Sequence, residues 1–204
     1  MQGITVVFGR RGSGKTTYVK EQIAEHGRVI VWDPLGEYGD ICTVFDDGDP
    51  FLDALERAQK QCFRLALMPS EPLDELFDQF CRAAWVVGDV LAVVEEVSMV
   101  ATATHVPASF AKIIRQGRHR AVSILAAAQR PSEVPRALTA QGSELVSFAQ
   151  DEPIDQQYLR RYGGAALADR CQGLPRYEYA AWRASESDEQ ASEPSAEPPE
   201  TPGN

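Results

Sequence analysis

The feature that most constrains the fold of this chain is a glycine-rich stretch near its beginning. Residues 9–16 read GRRGSGKT and fit the pattern G-x-x-x-x-G-K-[ST] at every position. An apolar run of strand type, residues 4–8, precedes the stretch, and residues 17–23 have the character of a helix. A strand, a glycine loop and a helix in this order are typical of a phosphate-binding loop, because glycines let successive backbone N–H groups turn toward an anion.

Each part of this loop has a role in binding a nucleoside triphosphate. The N-terminus of the following helix contributes a partial positive charge. The side chain of Lys15 can reach the β- and γ-phosphates, and the hydroxyl of Thr16 can ligate Mg²⁺. We therefore expect a site for ATP and Mg²⁺ whose nucleotide-binding residues are Gly9, Arg11, Gly12, Ser13, Gly14, Lys15, Thr16 and Thr17.

The rest of the chain alternates short apolar runs with helical patterns, which predicts a single α/β domain with a mostly parallel sheet flanked by helices. The length of 204 residues and the hydrophobic fraction of 44% suit one domain with a real core. We expect this domain to span residues 1–183. Residues 184–204 carry six acidic residues, no basic residue and no aromatic residue, so they predict a disordered acidic tail.

Composition argues against several classes of protein. The sequence has no apolar run near 18 residues and no basic-then-apolar leader, so it predicts neither a membrane span nor a signal peptide. The four cysteines are widely spaced and include no C-x-x-C pair, which favours reduced thiols in a cytoplasmic protein. The formal net charge of −10 resides largely in the tail, so a few basic residues could still contact nucleic acid.

Two adjacent carboxylates follow the most apolar run of the chain, residues 90–94. Such a run suits a strand that helices bury on both faces, and the carboxyl ends of parallel strands meet the ligand crevice. We expect Glu95 to hold Mg²⁺ opposite Thr16, and Glu96 to act as the general base that polarises the attacking water. The alternative is that both are solvated carboxylates at a strand end.

Gln129 ends the next apolar run, residues 121–128. An amide in this place could orient the water or sense the γ-phosphate, although a purely structural hydrogen bond would explain it as well.

Residues 110–120 form a basic helical pattern in which Arg115 and Arg118 are three positions apart and share a face. In a closed ring the nucleotide lies at a subunit boundary, so either arginine could act as a finger in the neighbour's site. Either could instead contact DNA phosphates, or lie on a solvated helix face.

Four segments taken together resemble the FtsK/HerA superfamily of P-loop ATPases. They are GRRGSGKT at 9–16, VIVWDPLGEY at 29–38, VLAVVEE at 90–96 and GRHRAVSILAAAQRPSEVP at 117–135. The similarity spans about residues 3–182 and implies a RecA-like (ASCE) fold. It implies that Lys15 and Thr16 bind nucleotide and Mg²⁺, that Glu95 and Glu96 form the second acidic motif, that Gln129 is the polar sensor, and that Arg118, with Arg115 second, is the trans-acting arginine. The family more often has Asp where this chain has Glu95.

Members of this superfamily form hexameric rings that thread double-stranded DNA. A single ATPase domain of this size, without the extra domains of other members, resembles the genome-packaging ATPases of tailless viruses with internal membranes. The resemblance thus implies an ATP-driven DNA translocase in the host cytoplasm or associated with the virion, with a capsid vertex protein as a candidate partner. Candidate DNA-contacting loops are residues 98–109 and 130–136.

Three other functions stay open at this point. The chain could be a HerA-like ATPase that works with a nuclease in repair or defence. It could be an ATPase of phage assembly or secretion, although such proteins usually carry a membrane anchor. It could also be a small-molecule P-loop kinase, but a kinase would need a second substrate pocket and an arginine-rich lid, whereas paired carboxylates suit the activation of water.

Overall fold

The computed structural model describes residues 3–58, 61–70 and 73–184. The predicted tail therefore lies outside the described residues except for Ala184. The elements in chain order are β1 (Ile4–Phe8), α1 (Lys15–Ala24), β2 (Arg28–Trp32), β3 (Thr43–Phe45), α2 (Gly48–Ala58), β4 (Phe63–Leu67), α3 (Leu73–Val87), β5 (Val90–Val94), α4 (Ala108–Gln116), β6 (Val122–Ala128), α5 (Arg136–Ala140), β7 (Glu144–Ser147), α6 (Pro153–Cys171) and β8 (Ala180–Arg183).

All eight strands form one sheet in the order β3-β4-β2-β5-β6-β1-β7-β8. Every neighbouring pair is parallel except β7 and β8, which run antiparallel. The predicted α/β class with a mostly parallel sheet is therefore confirmed. Strands β1 and β2 run parallel to each other, with β5 and β6 between them. The carboxyl ends of β1, β2, β5 and β6 thus meet along one edge.

The two faces of the sheet are covered unequally. Helices α2 to α6 pack on one face, where the indole of Trp32 meets the ring of Phe77 edge-on at 5.0 Å. The other face is covered by Val19 and Ile23 of α1 together with Tyr38 from the loop after β2. Each large apolar side chain buried in this way contributes about 1.5–3 kcal/mol. Because α1 and the loop after β2 share a face, residues 33–40 lie beside the glycine loop.

The structure corrects the predicted extent of one helix and adds details of local structure that the sequence analysis did not predict. The basic helix does not continue to residue 120, because α4 ends at Gln116 and a tighter 3₁₀ turn, Gly117–Arg120, follows it. Helix α6 breaks at Gly164, with φ 82°, but resumes and continues to Cys171. The last strand, β8, spans only the four residues Ala180–Arg183. The short strand β3 was missed, since three residues carry too little pattern to detect.

None of the helices in the described ranges combines the length and apolar character needed to cross a bilayer. All four cysteines are free, as their wide spacing predicts, and Cys81 and Cys171 are buried core residues.

Candidate functional site

The glycine loop leaves the carboxyl end of β1 and turns directly into α1. Its first amide, of Gly9, donates to the carbonyl of Ala128 at the end of β6 over 3.2 Å. Gly14 caps the helix with φ 114°, a conformation that residues with a side chain rarely adopt. A Cβ at this position would also lie 2.9 Å from the ring of Tyr177. The loop therefore needs glycine here for both its backbone conformation and its packing.

The loop offers several donors that fit an anion. The first turn of α1 contains no acidic residue and no side chain that caps it, so its amide donors are left for a ligand. Lys15 is buried at the start of this helix, while Thr17 and Arg11 are exposed. The hydroxyl of Ser13 is buried and has no hydrogen-bond partner. A phosphate chain would satisfy these groups.

The oxygen groups beside the loop fit Mg²⁺ only when a ligand completes the shell. Hydroxyl and carboxylate oxygens, such as those of Thr16, Glu37 and Glu95, are the ligands that Mg²⁺ prefers. Within the part of the chain that the structure describes, no group of three or more His, Cys, Asp or Glu side chains could hold a metal by itself. The residues present therefore fit a cation that is shared with phosphate oxygens.

Glu95 follows β5 directly and lies almost wholly inside the protein. It is 2% exposed, and its Oε2 accepts a 2.8 Å hydrogen bond from the hydroxyl of Tyr38. Burial raises the pKa of Glu95 to about 7, against the opposing effects of the Tyr38 bond and the charge of Lys15, while Glu96 adds a smaller upward effect. Tyr38 therefore fixes the orientation of this buried carboxyl group.

Glu96 and Gln129 meet at the ends of the neighbouring strands β5 and β6. The amide Nε2 of Gln129 donates to Oε1 of Glu96 over 2.9 Å. Glu96 has φ 46° and ψ 54°, a left-handed conformation that costs a residue of this type about 1–3 kcal/mol. The buried amide of Gln150 in turn donates to the carbonyl of Gln129. Two residues proposed for water activation are thus in contact, in a backbone that the surrounding structure holds under strain.

Arg115 and Arg118 lie at the opposite end of the sheet. Both are exposed and line a recess of about 350 Å³ with Gly3 and Ile4 at the beginning of β1. The glycine loop follows the end of this five-residue strand, so roughly 16 Å of strand separates the two places. Neither arginine can therefore serve the glycine loop of its own chain. Arg120, by contrast, is structural: it donates to the carbonyls of Trp85 and Val86 at the end of α3.

The loop after β2 adds residues to the site for which the sequence analysis predicted no role. The hydroxyl of Thr16 donates to Oε2 of Glu37 over 3.0 Å. Asp33 is buried, and its two oxygens accept the amides of Glu37 and Tyr38 at 2.9 and 3.0 Å. The position of Asp33 at the carboxyl end of a parallel strand is the signal that could have identified this loop.

A second unassigned segment holds the glycine loop from outside. The Nε of Arg176 donates to the carbonyl of Gly12 over 2.8 Å, and the amide of Tyr177 donates to the carbonyl of Ser13 over 2.9 Å. Tyr177 has φ 71° and is 59% exposed. The chain thus contacts the glycine loop just before it enters β8 at Ala180. No sequence pattern links residues 12 and 176, so this contact could not have been predicted.

Comparison with models of protein families found no family that matches the chain, and no curated protein sequence matches it. Solved structures do match it in fold. The genome packaging NTPase B204 from Sulfolobus turreted icosahedral virus 2, solved with AMPPCP, is 16% identical, with a TM-score of 0.76 over 91% of this chain and 94% of that chain. B204 from Sulfolobus turreted icosahedral virus, described as a DNA-packaging ATPase, is 16% identical, with a TM-score of 0.72 over 90% and 93%. VirB4 of Thermoanaerobacter pseudethanolicus is 12% identical, with a TM-score of 0.54 over 88% of each chain.

At these identities the likeness concerns the fold. It confirms the predicted α/β fold of a P-loop NTPase. The chain therefore has the α/β fold of a P-loop ATPase, similar over nearly all of its described length to that of a viral genome-packaging NTPase.

Proposed function

We propose that the chain hydrolyses ATP, with Glu96 as the general base. The observation that carries the proposal is the contact between Glu96 and Gln129, at the same sheet edge as the buried Lys15. Lys15 and the N-terminus of α1 would neutralise the phosphates. Gln129 would orient the attacking water, and the carboxylate of Glu96 would accept its proton, a contribution of about 10²–10⁴-fold in rate.

The bound cation would neutralise the charge that develops on the β- and γ-phosphates. Thr16 would supply a hydroxyl ligand, and Glu95 is the carboxylate that the sequence suggests for the other side. The hard oxygens of both side chains favour Mg²⁺ over softer metals.

The two arginines at the opposite end of the sheet support a ring of identical subunits, for which a hexamer is the expected size. Arg118, with Arg115 second, would reach the nucleotide of the adjacent subunit and stabilise the charge of its transition state. Their distance from the glycine loop of their own chain supports action in trans.

We further propose that hydrolysis drives double-stranded DNA through the ring to package a viral genome. The fold similarity to structures described as genome packaging NTPases supports this choice. Contacts would be to DNA phosphates, without reading of the bases, through residues 98–109 and 130–136. In the second loop Arg136 is exposed, whereas Arg130 pairs with the buried Asp155. The ring would work in the host cytoplasm or at the virion, docked on a capsid vertex protein.

Steady-state ATPase activity, measured with and without long double-stranded DNA, tests the proposal. The samples are the wild type and Glu96→Gln, with particle masses determined by mass photometry. We expect DNA-stimulated turnover in a ring-sized particle, lost in Glu96→Gln, and DNA binding that weakens between about 50 and 200 mM salt. A monomer whose ATP turnover is the same with and without DNA would refute the proposed DNA translocase and favour a small-molecule kinase. A nuclease that co-purifies would favour a HerA-like role in repair or defence.

A further inference from the structure

Two exposed aromatic rings lie on the segment between α6 and β8, beside the glycine loop. Tyr177 is 59% exposed and Tyr179 is 46% exposed, whereas most large apolar side chains in the described ranges are buried. The reaction proposed above gives neither ring a role. Aromatic side chains that stay exposed at the edge of a phosphate site are typical of the lining of a small-molecule pocket.

The ring of Tyr177 is held against the glycine loop. Its backbone amide donates to the carbonyl of Ser13 over 2.9 Å, and the preceding Arg176 donates to the carbonyl of Gly12. The guanidinium carbon of Arg176 lies 4.6 Å from the centre of the Tyr177 ring. A Cβ on Gly14 would lie 2.9 Å from this ring. The φ of 71° persists at a tyrosine only where the surrounding structure fixes it.

The ring of Tyr179 lies beside the first turn of α1. It meets the ring of Tyr18 edge-on at 5.1 Å and the ring of Phe148 at 5.6 Å. Tyr18 follows Thr17, an exposed residue of the expected nucleotide site. One exposed ring thus stands at the end of the glycine loop, and the other stands where the loop has become a helix.

The strand order sets the direction in which a nucleotide lies on the loop. β1, which leads into the glycine loop, stands between β6 and β7. Glu96 and Gln129, the groups proposed to activate water, follow β5 and β6 on one side of the loop. Because the water attacks the γ-phosphate, this end of the nucleotide has to face that side. The nucleoside consequently leaves the loop on the other side, toward β7 and β8, where both exposed rings lie.

We propose that Tyr177 stacks on the base of the bound nucleotide and that Tyr179 extends the same platform beside α1. Every base has an aromatic face that a phenol ring can cover, and removal of such a stacking partner weakens binding by roughly 5–150-fold. The inference rests on the proposed ATPase function and adds the residues that recognise the nucleoside. It gives the segment before β8 a direct part in binding the substrate.

The test compares a nucleotide with a phosphate chain that carries no nucleoside. Calorimetry measures the affinities for AMPPCP and for inorganic tripolyphosphate, both with Mg²⁺. The variants are Tyr177→Ala and Tyr177→Phe, with Val86→Ala as the control that shortens an exposed side chain near the end of α3. We expect Tyr177→Ala to weaken AMPPCP binding at least about fivefold, while its tripolyphosphate affinity stays within about twofold of the wild type. Tyr177→Phe and Val86→Ala should bind both ligands as the wild type does.

Unchanged AMPPCP affinity in Tyr177→Ala would overturn the inference and leave the ATPase proposal standing. An equal loss for AMPPCP and tripolyphosphate would overturn it as well, because the ring would then support the glycine loop rather than the base. A loss in Tyr177→Phe as large as in Tyr177→Ala would assign the effect to the hydroxyl and contradict stacking. A folded wild type that binds neither ligand would instead refute the proposed ATPase function, and the inference with it.

Discussion

The side-chain amide of Gln129 lies 2.9 Å from the carboxylate of Glu96, and each residue follows the carboxyl end of one of two neighbouring strands. This pair joins a hydrogen-bond donor to a general-base candidate whose backbone is held in the left-handed region at φ 46°. Backbone strain of this kind persists only where the surrounding structure over-determines it, and it occurs often at catalytic positions.

Replacement of Glu96 by glutamine should separate binding from turnover. The amide has the shape of the carboxylate but cannot accept the proton of water, so we expect ATP turnover to fall by about 10²–10⁴-fold. Nucleotide affinity should change little, since Lys15 and the loop are intact. Steady-state ATPase assays with titration of AMPPCP measure both, and Glu56→Gln on α2 is the matched control. Equal loss of binding and turnover would argue against a general base.

Gln129→Ala should lower kcat by less than Glu96→Gln does, by roughly 10–100-fold, because the water loses its orientation while the base is still present. KM should stay close to that of the wild type. The comparison is with Gln157→Ala, which removes an exposed glutamine from α6. If Gln129→Ala kept full ATPase activity, the hydrogen bond between Gln129 and Glu96 would have a structural role only.

Mixing of subunits tests the arginines at the far end of the sheet. Arg118→Ala should abolish turnover in the assembled particle by about 10³–10⁵-fold, as loss of an arginine finger does. Mixing it with Glu96→Gln should restore activity, because the second variant donates its intact arginine to the intact site of the first. Arg57→Ala on α2 is the control. An inactive mixture of variants that co-assemble, or an Arg118→Ala variant that turns over normally, would contradict action in trans.

The junction of α3 and β5 gives a prediction about stability. Gly88 has φ 58°, and a Cβ there would lie 2.8 Å from the carbonyl oxygen of Arg120. Gly173 has φ 69° with open space around it. We expect Gly173→Ala to lower the free energy of unfolding by about 1–2 kcal/mol from backbone strain alone, and Gly88→Ala to lower it further. Urea unfolding measures the difference, and equal effects would show that the Arg120 carbonyl moves without cost.

The cysteines should differ in how their reactivity depends on pH. Burial raises the pKa of Cys42 to about 11, whereas Cys62 is exposed. Only the thiolate attacks iodoacetamide, so a raised pKa means little reactive Cys42 at pH 8. We expect Cys62 to be alkylated first at pH 8, and the rate at Cys42 to rise nearly tenfold per pH unit up to about pH 10. Mass spectrometry of the peptides measures both rates; a Cys42 that reacts as fast as Cys62 at pH 8 would contradict the prediction.

The parts of the site that could be read from the sequence are those carried by local patterns. The glycine loop was identified by the fixed spacing of its motif. Glu96 and Gln129 were identified because each follows an apolar run, which places it at the carboxyl end of a parallel strand. Their direct contact follows from β5 and β6 being neighbours in the sheet.

The parts that could not be read depend on the packing of distant segments. Arg176 donates to the carbonyl of Gly12, although the two residues are 164 positions apart in the sequence. Thr16 donates to Glu37 because α1 and the loop after β2 cover the same face of the sheet. The extent of the basic helix was missed for another reason: the chain tightens into a 3₁₀ turn at Gly117, where a Cβ would lie 3.3 Å from the carbonyl oxygen of Val122. Helical periodicity alone does not register such a change.

The strand order has a consequence for the synthesis of the chain. β1 is made first, yet its partners β6 and β7 pair with it from roughly 120 and 140 residues away, as at Ile4 with Ile124 and Thr5 with Glu144. The strands β2, β3, β4 and β5 can associate while the ribosome is still translating the rest. The glycine loop, although early in the message, acquires its final surroundings only after β7 and the segment around Tyr177 have emerged. The environment of the glycine loop is thus completed by residues that the ribosome adds more than 150 positions after the loop itself.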